Sequence, residues 1–368
     1  MAKPLKDLKV AIVHDWLIGG GAELVVEQLH KMFPEAPIYT SYCTPEWRKR
    51  LDNKVITGWL QYGPFPKLRK FIPLLRIWWF TSLKFDDYDL VISSSGAEAK
   101  GIKVPKNTTH INYCHAPTHY YWSRYNEYMV SPGFGSFDWL ARIGLKLLVS
   151  PLRNWDYKAA QRPNFMIANS TYTQTAIKKY YGRGSVVIHP PVYFERFQKP
   201  ENITKNRQGF IVSGRQTPYK RFDLAIKACT KLNLPLVVVG DGPDHKKLQS
   251  LAGPSIKFIG RVTDEEVERQ FSHAQALIFP GIDDFGITAV EAMAAGTPVI
   301  AYKAGGALDY VIEKETGAFF NLQTTESLVK KLKAFKTETY DSDKITTFAK
   351  TFSPAYFSHK MKEFILNV

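Results

Sequence analysis

The sequence predicts an α/β protein made of two doubly wound domains that face a cleft. Short β-branched runs alternate with helical patterns of apolar residues in both halves of the chain, and a proline-containing break separates the halves. The length of 368 residues also exceeds what one compact core usually holds. With 45% hydrophobic and 23% charged residues, the composition is that of a globular protein.

The first domain, residues 1–187, is predicted to begin with a strand, a glycine loop and a helix. Residues 9–15 form a β-branched run, residues 17–21 form the glycine loop, and residues 22–33 have helical spacing. Three later apolar runs end at small or polar residues, which is typical of buried parallel strands: 90–93, 110–113 and 165–168. We expect the carboxyl ends of these strands to border a ligand-binding crevice.

The second domain, residues 209–350, repeats the alternation after a break. Pro190 and Pro191 end a strand and a polar stretch follows, so residues 188–208 are predicted to be a linker. The predicted strands are 209–213, 236–240, 256–260, 275–280 and 298–302, and the predicted helices are 221–232, 264–272 and 287–295. Residues 351–368 are predicted to form a helix that packs back on the first domain.

The charge of the chain is strongly basic and unevenly distributed. The formal net charge is +15, and residues 1–184 carry 25 Lys and Arg against 14 Asp and Glu. Residues 58–84 contain five basic side chains and no acidic one. Their basic and apolar members are Lys67, Arg69, Lys70, Arg76, Lys84, Leu68, Phe71, Ile72, Leu75, Trp78 and Trp79. This composition favours docking on an anionic membrane surface, with residues 139–153 as a second contact. A buried helical hairpin is the alternative.

The cysteines and the first residues indicate a reducing compartment. The three cysteines, Cys43, Cys114 and Cys229, are far apart and odd in number, so neither a disulfide framework nor a CxxC pair is predicted. The first nine residues are charged and lack the apolar segment of a secretory signal. We expect a cytoplasmic protein, peripheral on the inner face of the membrane, with no nucleic-acid or obligate protein partner, since no nucleic-acid-binding signature accompanies the charge.

Residues 279–309 hold the densest cluster of candidate functional residues. Asp283 and Glu291 lie eight residues apart, and Phe285, Gly286 and Ile287 lie between them at a predicted helix start. Free N–H groups at a helix N-terminus favour an anionic diphosphate, and a glycine lets the backbone approach it. We therefore expect a phosphorylated ligand here. The alternative is that both acids only decorate an amphipathic helix.

Arg215 and Lys220 follow the first strand of the second domain. A fixed guanidinium and an ammonium can neutralise the negative charge of a diphosphate, including charge that develops during a reaction. The alternative is that these basic residues only form the solvated start of a helix. Positive charge at a helix start opposes the helix dipole, and this alternative suits Arg221 better than Arg215 or Lys220. We predict that Arg215 and Lys220 are catalytic.

Two segments of the first domain supply further candidates. Gly20 and Gly21 follow the first strand, where a GxGxxG fingerprint would require glycine in place of Leu24, and this disfavours a dehydrogenase. The two glycines suit close approach to a ligand or a plain tight turn. His115 follows another predicted strand at the crevice, where a histidine either contacts a ligand or is structural.

These segments together resemble glycosyltransferase family 4, whose members have the GT-B fold. The resemblance covers nearly the whole chain in family order: the opening strand and glycine loop, residues 115–117, 214–220 and 240–243, and the block 283–306. It is especially similar to bacterial mannosyltransferases of surface-polysaccharide assembly. The resemblance implies a retaining hexose transfer, GDP-mannose as the nucleotide-sugar donor, and a lipid-linked or saccharide acceptor.

The resemblance also implies a role for each candidate residue. Arg215 and Lys220 bind the diphosphate, and Glu291 binds the ribose diol. Asp283 contacts the transferred sugar from a position where the family usually has glutamate, and His115 faces the same sugar. Both are therefore predicted to be catalytic residues. The other implied donor contacts are Gly20, Gly21, Val262, Phe285, Gly286, Ile287, Gly305 and Gly306.

No metal site and no cofactor are predicted. Residues 87–89 and 341–343 match the DxD pattern that another transferase fold uses for a divalent ion, but neither lies near the expected phosphate cluster. Two other functions stay open: an epimerase or phosphorylase on the same architecture, and a non-catalytic nucleotide-binding protein.

Overall fold

The computed structural model describes residues 4–69, 71–130, 132, 135–194 and 207–368. The chain divides into two compact units. Unit 1 comprises Met1–Pro191 and Phe357–Val368, and unit 2 is Val192–Tyr356. Residues 195–206 of the predicted linker lie outside the described residues.

Unit 1 is built on a seven-stranded parallel sheet. Its strands are β1 Val10–His14, β2 Ile38–Thr40, β3 Val55–Thr57, β4 Leu90–Ser95, β5 Thr109–Cys114, β6 Phe165–Ala168 and β7 Val186–Val187. Their order in the sheet is β3-β2-β1-β4-β5-β6-β7. All residues of β1 and β4 are buried, as expected for parallel strands covered on both faces.

Helices of unit 1 follow the strands in the doubly wound manner. They are α1 Gly21–Met32, α2 Pro45–Arg50, α3 Phe65–Leu68, α4 Pro73–Ser82, α5 Tyr125–Val130, α6 Asp138–Ala160 and α7 Thr171–Tyr181. The ends of α7 illustrate the local causes. The Ser170 hydroxyl accepts a hydrogen bond from the Thr173 amide, and Gly182 ends the helix with a left-handed φ of 68°.

Unit 2 contains a six-stranded parallel sheet. Its strands are β8 Phe210–Ser213, β9 Leu236–Val239, β10 Ile256–Gly260, β11 Ala276–Phe279, β12 Val299–Tyr302 and β13 Gly317–Phe320. The order is β10-β9-β8-β11-β12-β13. The helices are α8 Phe222–Leu232, α9 His245–Ser250, α10 Asp264–His273, α11 Ile287–Ala294, α12 Thr325–Ala334 and α13 Ser342–Ala349. Two parallel α/β sheets confirm the predicted fold class.

The last helix, α14 Pro354–Leu366, contributes to the core of unit 1. Phe357, Met361 and Ile365 are buried with the strands of that unit, at four-residue spacing that places them on one face of the helix. The ring of Phe357 also packs against Tyr113 of β5, with ring centroids 5.8 Å apart.

Candidate active site

A buried glutamine fixes the loop that follows β8. The Gln216 amide nitrogen donates to the Gly240 carbonyl at 2.7 Å, and its oxygen lies 2.8 Å from Nδ1 of His245. A Cβ at Gly240 would lie 2.2 Å from the Gly214 carbonyl oxygen, so the loops after β8 and β9 touch through glycine backbone. The predicted catalytic residue Arg215 lies in this loop. Its side chain is exposed and forms no ion pair with a carboxylate of the described residues.

Lys220 and Asp283 form an ion pair in unit 2. The Lys220 ammonium contacts the Asp283 carboxylate, and both side chains are largely buried, at 15% and 12% exposure. The ammonium also lies 5.7 Å from the ring centroid of Phe279 and 5.8 Å from that of Tyr219. Gly281 permits this packing, because a Cβ there would lie 2.8 Å from the Lys220 Cα. Two residues predicted separately as catalytic are therefore in direct contact.

The loop that joins Asp283 to α11 depends on glycine. Gly286 precedes the helix with φ of 101°, and a Cβ there would lie 2.5 Å from the Tyr310 hydroxyl. A Cβ at Gly306 would lie 2.4 Å from the Phe285 Cα, and the Gly306 amide donates to the Asp283 carbonyl at 2.9 Å. The structure thus brings together the predicted candidates Asp283, Phe285, Gly286 and Gly306.

Two buried oxygens near this loop lack a hydrogen-bond partner among the described residues. They are Oδ1 of Asp283 and the hydroxyl of Tyr310. Burial raises the pKa of Tyr310 well above its ordinary value, and the carboxylates of Asp283 and Asp309 raise it further, so the hydroxyl stays protonated. Nothing in the sequence singled out Tyr310, which lies outside every pattern considered there.

The remaining donor-side candidates lie on neighbouring elements of unit 2. Glu291 is half-buried on α11, and Ile287, also half-buried, is the first residue of that helix. Val262 is half-buried in the turn after β10 and packs against the core of the unit. Gly305 adopts a left-handed φ of 69°, which glycine tolerates without strain.

In unit 1, His115 lies at the carboxyl end of β5. Its Nε2 is 2.7 Å from the Ser94 hydroxyl, and its ring lies edge-on to that of His14, with centroids 6.1 Å apart. The predicted candidates Gly20 and Gly21 lie at the start of α1. There the buried Glu23 carboxylate accepts the backbone N–H of Gly19 at 3.0 Å and closes the glycine loop.

A set of buried charges holds the turn after β4, a feature that the sequence did not reveal. The Asp15 carboxylate accepts the backbone N–H groups of Gly96, Ala97 and Ala99 at 2.8–2.9 Å. Within that turn, Glu98 pairs with Arg76 of α4 at 2.7 Å, and Lys100 pairs with Asp156 of α6 at 2.6 Å. All four side chains of the two pairs are at most 2% exposed. The turn is therefore fixed to both helices.

The predicted membrane-docking segment is only partly exposed. Arg76 is 2% exposed and Trp79 is 5% exposed, so assigning them to a membrane surface is wrong: Glu98 neutralises Arg76, and Trp79 packs in the core. Lys70 lies outside the described residues. The exposed aliphatic, Phe and Trp side chains are Leu68, Phe71, Leu74 and Trp78 among the described residues of this segment, and Trp139, Leu140, Ile143, Leu147 and Leu148 on α6.

One aspartate of each DxD pattern accepts hydrogen bonds from the backbone. Asp89 accepts the Lys9 amide at 2.9 Å, and Asp341 caps α13 by accepting the amides of Asp343 and Lys344. Across the described part of the chain, no group of three or more His, Cys, Asp or Glu side chains is placed to hold a metal ion. None of the described helices combines the length and apolar character needed to cross a bilayer.

Comparison with protein families identifies the class to which this fold and these residues belong. The model for Glycosyltransferase Family 4 matches residues 19–196, and the model for Glycosyl transferases group 1 matches residues 193–352. Together they cover most of the chain, and the chain belongs to these glycosyltransferases, as the sequence predicted.

Individual relatives are similar at modest identity. A GDP-mannose-dependent alpha-mannosyltransferase of Mycolicibacterium smegmatis is 34% identical over 119 residues, which are 32% of this chain and 31% of the relative. The alpha-1,3/1,6-mannosyltransferase alg2 of Schizosaccharomyces pombe is 25% identical over 84% of this chain and 70% of its own length. The chain thus spans about a third of the length of the first of these relatives.

Solved structures establish the GT-B fold. Anabaena Alr3699/HepE, solved in complex with UDP, matches with a TM-score of 0.71 at 18% identity, over 98% of this chain and 100% of the other. The lipopolysaccharide outer core galactosyltransferase WaaB matches with a TM-score of 0.66 at 16% identity, over 98% and 99% of the two chains.

Proposed function

We propose that the protein is a retaining glycosyltransferase that transfers mannose from GDP-mannose to a lipid-linked or saccharide acceptor at the inner face of the membrane. The names of two relatives, a GDP-mannose-dependent alpha-mannosyltransferase and an alpha-1,3/1,6-mannosyltransferase, support the sugar, and the first also supports the base. The complex of Anabaena Alr3699/HepE with UDP and glucose supports a nucleotide-sugar donor.

The observation that carries this proposal is the cluster in unit 2 around the Lys220–Asp283 ion pair. The ammonium of Lys220 is held on the loop that runs through Gly286 into α11. A helix N-terminus and a nearby cation together favour a diphosphate, because N–H donors and positive charge act on the same anion. The exposed guanidinium of Arg215 lies in the loop that leads to Lys220 and supplies a second cation.

The cluster suggests how the donor is activated. Negative charge builds up on the nucleoside diphosphate as the bond to the sugar breaks, and Arg215 and Lys220 stabilise that charge in the transition state. Because these cations do the work of a metal ion, we propose that the reaction needs no divalent cation. The turnover rate measured with a metal chelator present should then equal the rate measured without the chelator.

The other candidates are assigned to the sugar and the nucleoside. Oδ1 of Asp283, which has no hydrogen-bond partner within the described ranges of the chain, accepts from a sugar hydroxyl, and Glu291 accepts from the ribose diol. His115 is assigned to the transferred sugar, where its ring nitrogen contacts a hydroxyl. The remaining assigned contacts to donor phosphate, sugar or base are Gly20, Gly21, Val262, Phe285, Gly286, Ile287, Gly305 and Gly306.

Turnover of cation variants tests the assignment. Arg215→Ala and Lys220→Ala should each lower kcat by about a hundredfold or more, because each removes a charge aimed at the leaving group. Lys227→Ala is the matched control, since Lys227 is an exposed lysine on α8 of the same unit. Near wild-type turnover in Lys220→Ala would exclude its role. Donor cleavage that proceeds equally well without acceptor would point instead to an epimerase or phosphorylase.

A thermal-shift screen tests the donor. A ligand that binds only the folded protein stabilises it in proportion to RT ln(1 + [L]/Kd), so the correct donor gives the largest shift at equal concentration. We expect GDP-mannose to raise the melting temperature more than GDP-glucose, UDP-glucose or ADP-glucose does. A larger shift with a uridine or adenine nucleotide would overturn the proposed base, and a larger shift with GDP-glucose would overturn the proposed sugar.

The proposed membrane contact is carried by exposed apolar and basic side chains of unit 1. On α6, Trp139, Ile143 and Leu147 are 59%, 49% and 71% exposed, at four-residue spacing, and the basic Lys146 is also exposed. Apolar side chains beside basic ones suit an anionic bilayer interface. Trp78 and Lys67 supply the same combination in the first segment.

Liposome flotation tests this contact. Wild-type protein should float with vesicles that contain anionic lipid and less with neutral vesicles, and Lys67→Glu with Lys146→Glu should lower the floated fraction. Lys362→Glu, an exposed charge reversal in the same unit, is the control. Equal flotation of the double variant and the control would defeat the membrane assignment.

A further inference from the structure

A small cavity lies at the amino end of β5, at the other end of this strand from His115. Its volume is about 330 Å³, and its lining residues are Ile102, Lys103, Val104, His110 and Arg162. His110 is the second residue of the strand, whereas His115 follows the last one. The cavity is therefore distinct from the candidate active site, and none of the residues assigned to donor or acceptor lines it.

The buried imidazole of His110 presents an unused hydrogen-bond donor. Its Nε2 lies 2.8 Å from the Ser93 hydroxyl, which itself accepts the Asn112 amide nitrogen at 2.9 Å. That amide orientation is fixed, because the same nitrogen donates to the Ser93 carbonyl at 3.0 Å. Donation from the Ser93 hydroxyl to Nε2 gives the hydroxyl proton an acceptor, and in that arrangement the ring proton lies on Nδ1.

Nδ1 of His110 has no hydrogen-bond partner among the described residues. The whole residue is buried, so bulk solvent does not replace the missing partner. A buried donor without an acceptor is destabilising, so an acceptor at this position would be favoured. His110 forms part of the cavity wall, so an anion bound there can supply that acceptor once the wall opens enough to admit it to Nδ1.

The two charged residues that line the cavity, Lys103 and Arg162, are both positive, and Arg183 lies near His110. Lys103 is exposed, whereas Arg162 and Arg183 are half-buried, and burial lowers the pKa of both guanidiniums. In the described part of the chain, none of the three cations pairs with a carboxylate. Arg162 donates to the Gly101 carbonyl, and Arg183 donates to the carbonyls of residues 160, 163 and 164. Half-buried charge without a counter-ion is costly, and an anion removes the cost.

We propose that this cavity is a second binding site, which takes a small phosphate-bearing anion. Nδ1–H of His110 donates to a phosphate oxygen, and Lys103 and Arg162 neutralise the charge. A bound water would satisfy the imidazole but not the cations, whereas a phosphate does both. The volume suits a phosphate or diphosphate group, and the site does not depend on the function proposed above.

The state of His110 supports this arrangement. Burial, followed by the charges of Arg183 and Arg162, lowers the pKa of the imidazole to about 3. The ring is therefore neutral at physiological pH and keeps one N–H donor. A bound phosphate would add negative charge beside the ring and raise this pKa.

Histidine-ring NMR of the full-length protein tests the site. Long-range ¹H–¹⁵N spectra report the two ring nitrogens, and the His110 signals are assigned by comparison with His110→Gln. Inorganic phosphate and diphosphate are titrated separately, at constant ionic strength set with chloride, so that the two sources of the anion are distinguished. We expect saturable shifts of the His110 nitrogens with at least one of the two anions, and no shift with chloride alone.

Two variants separate specific binding from general attraction to a basic protein. Lys103→Glu should weaken the binding at least tenfold, because it replaces a neutralising charge by a repelling one. Lys106→Glu is the matched control, as an exposed lysine three residues further on that does not line the cavity. In the Lys220→Ala background, binding at His110 should be unchanged, which separates this site from the donor cluster. Absence of saturable shifts with both anions, or equal weakening by Lys103→Glu and Lys106→Glu, would overturn the proposal.

Discussion

The buried ion pair between Arg76 and Glu98 gives a quantitative prediction about unit 1. Nε and Nη2 of Arg76 donate to the two carboxylate oxygens at 2.9 and 2.7 Å, and the guanidinium lies 4.9 Å from the ring centroid of Trp16. Burial opposes the charge on Arg76, but the Glu98 carboxylate outweighs it and raises the pKa of the guanidinium. Arg76→Ala would leave Glu98 charged and fully buried.

Removing one partner of such a pair costs about 3–5 kcal/mol, because the other charge stays uncompensated. Unit 1 has about 200 residues. In a unit of that size, 1 kcal/mol lowers the melting temperature by about 2–4 °C, so Arg76→Ala should lower it by about 6–20 °C. Lys67→Ala removes an exposed lysine of the same segment and should change it by less than about 2 °C.

Thermal unfolding followed by circular dichroism measures both variants. The double variant Arg76→Ala with Glu98→Ala completes a cycle, and it should be more stable than the sum of the two single losses predicts, since neither charge then remains unpaired. A loss of less than about 3 °C in Arg76→Ala, or strictly additive losses in the double variant, would refute the view that this pair is buried and coupled.

Three further predictions concern other buried positions. The three cysteines should resist a thiol reagent at pH 8 until the protein is denatured, because all three are buried. Burial also raises the pKa of Cys43 to about 11 and that of Cys229 to about 12. Fast labelling of the folded protein would contradict this prediction. Gly306→Ala should lower the free energy of unfolding by about 1–3 kcal/mol, because the new Cβ overpacks against residues 284–285. Gly184→Ala is the control and should lower it by less than about 0.5 kcal/mol, since a Cβ there meets nothing within 4 Å. Equal melting temperatures of the two variants would count against the close packing at Gly306. Tyr310→Phe should leave the melting temperature of the ligand-free protein unchanged or raise it, because the hydroxyl has no partner among the described residues; a loss above about 1 kcal/mol would show that it has one.

Elements with a strong local signal were predictable from the sequence. Strand β1 opens with four consecutive apolar residues because both of its faces are covered. Helix α11 begins directly after Gly286, which marks the change from the polar loop to a helical pattern. The short strands β2 and β3, of three residues each, were missed because a three-residue run carries too little periodicity to separate it from a loop. Strand β13 was missed as well, and its four residues include a glycine.

Contacts between residues that are distant in the sequence were harder to predict. Lys220 and Asp283 were each predicted as catalytic, but their pairing spans 63 residues and depends on how β8 and β11 lie side by side. Arg76 was misassigned to a membrane surface because a basic residue in an aromatic helix is normally solvated, and its partner Glu98 lies 22 residues further on, outside the segment. The buried charges of a fold are therefore the part that local pattern describes least well.

The central claim is that the cations at Arg215 and Lys220 hold the diphosphate of the donor. Calorimetric titration with GDP and with guanosine tests it most directly, because the two ligands differ only in the phosphates. Hydrogen bonds to a charged group contribute about 1.5–3 kcal/mol, so Lys220→Ala should weaken GDP binding at least tenfold and leave guanosine binding unchanged, with Lys227→Ala like the wild type in both. Equal weakening of both ligands by Lys220→Ala, or undiminished affinity for GDP, would contradict the account.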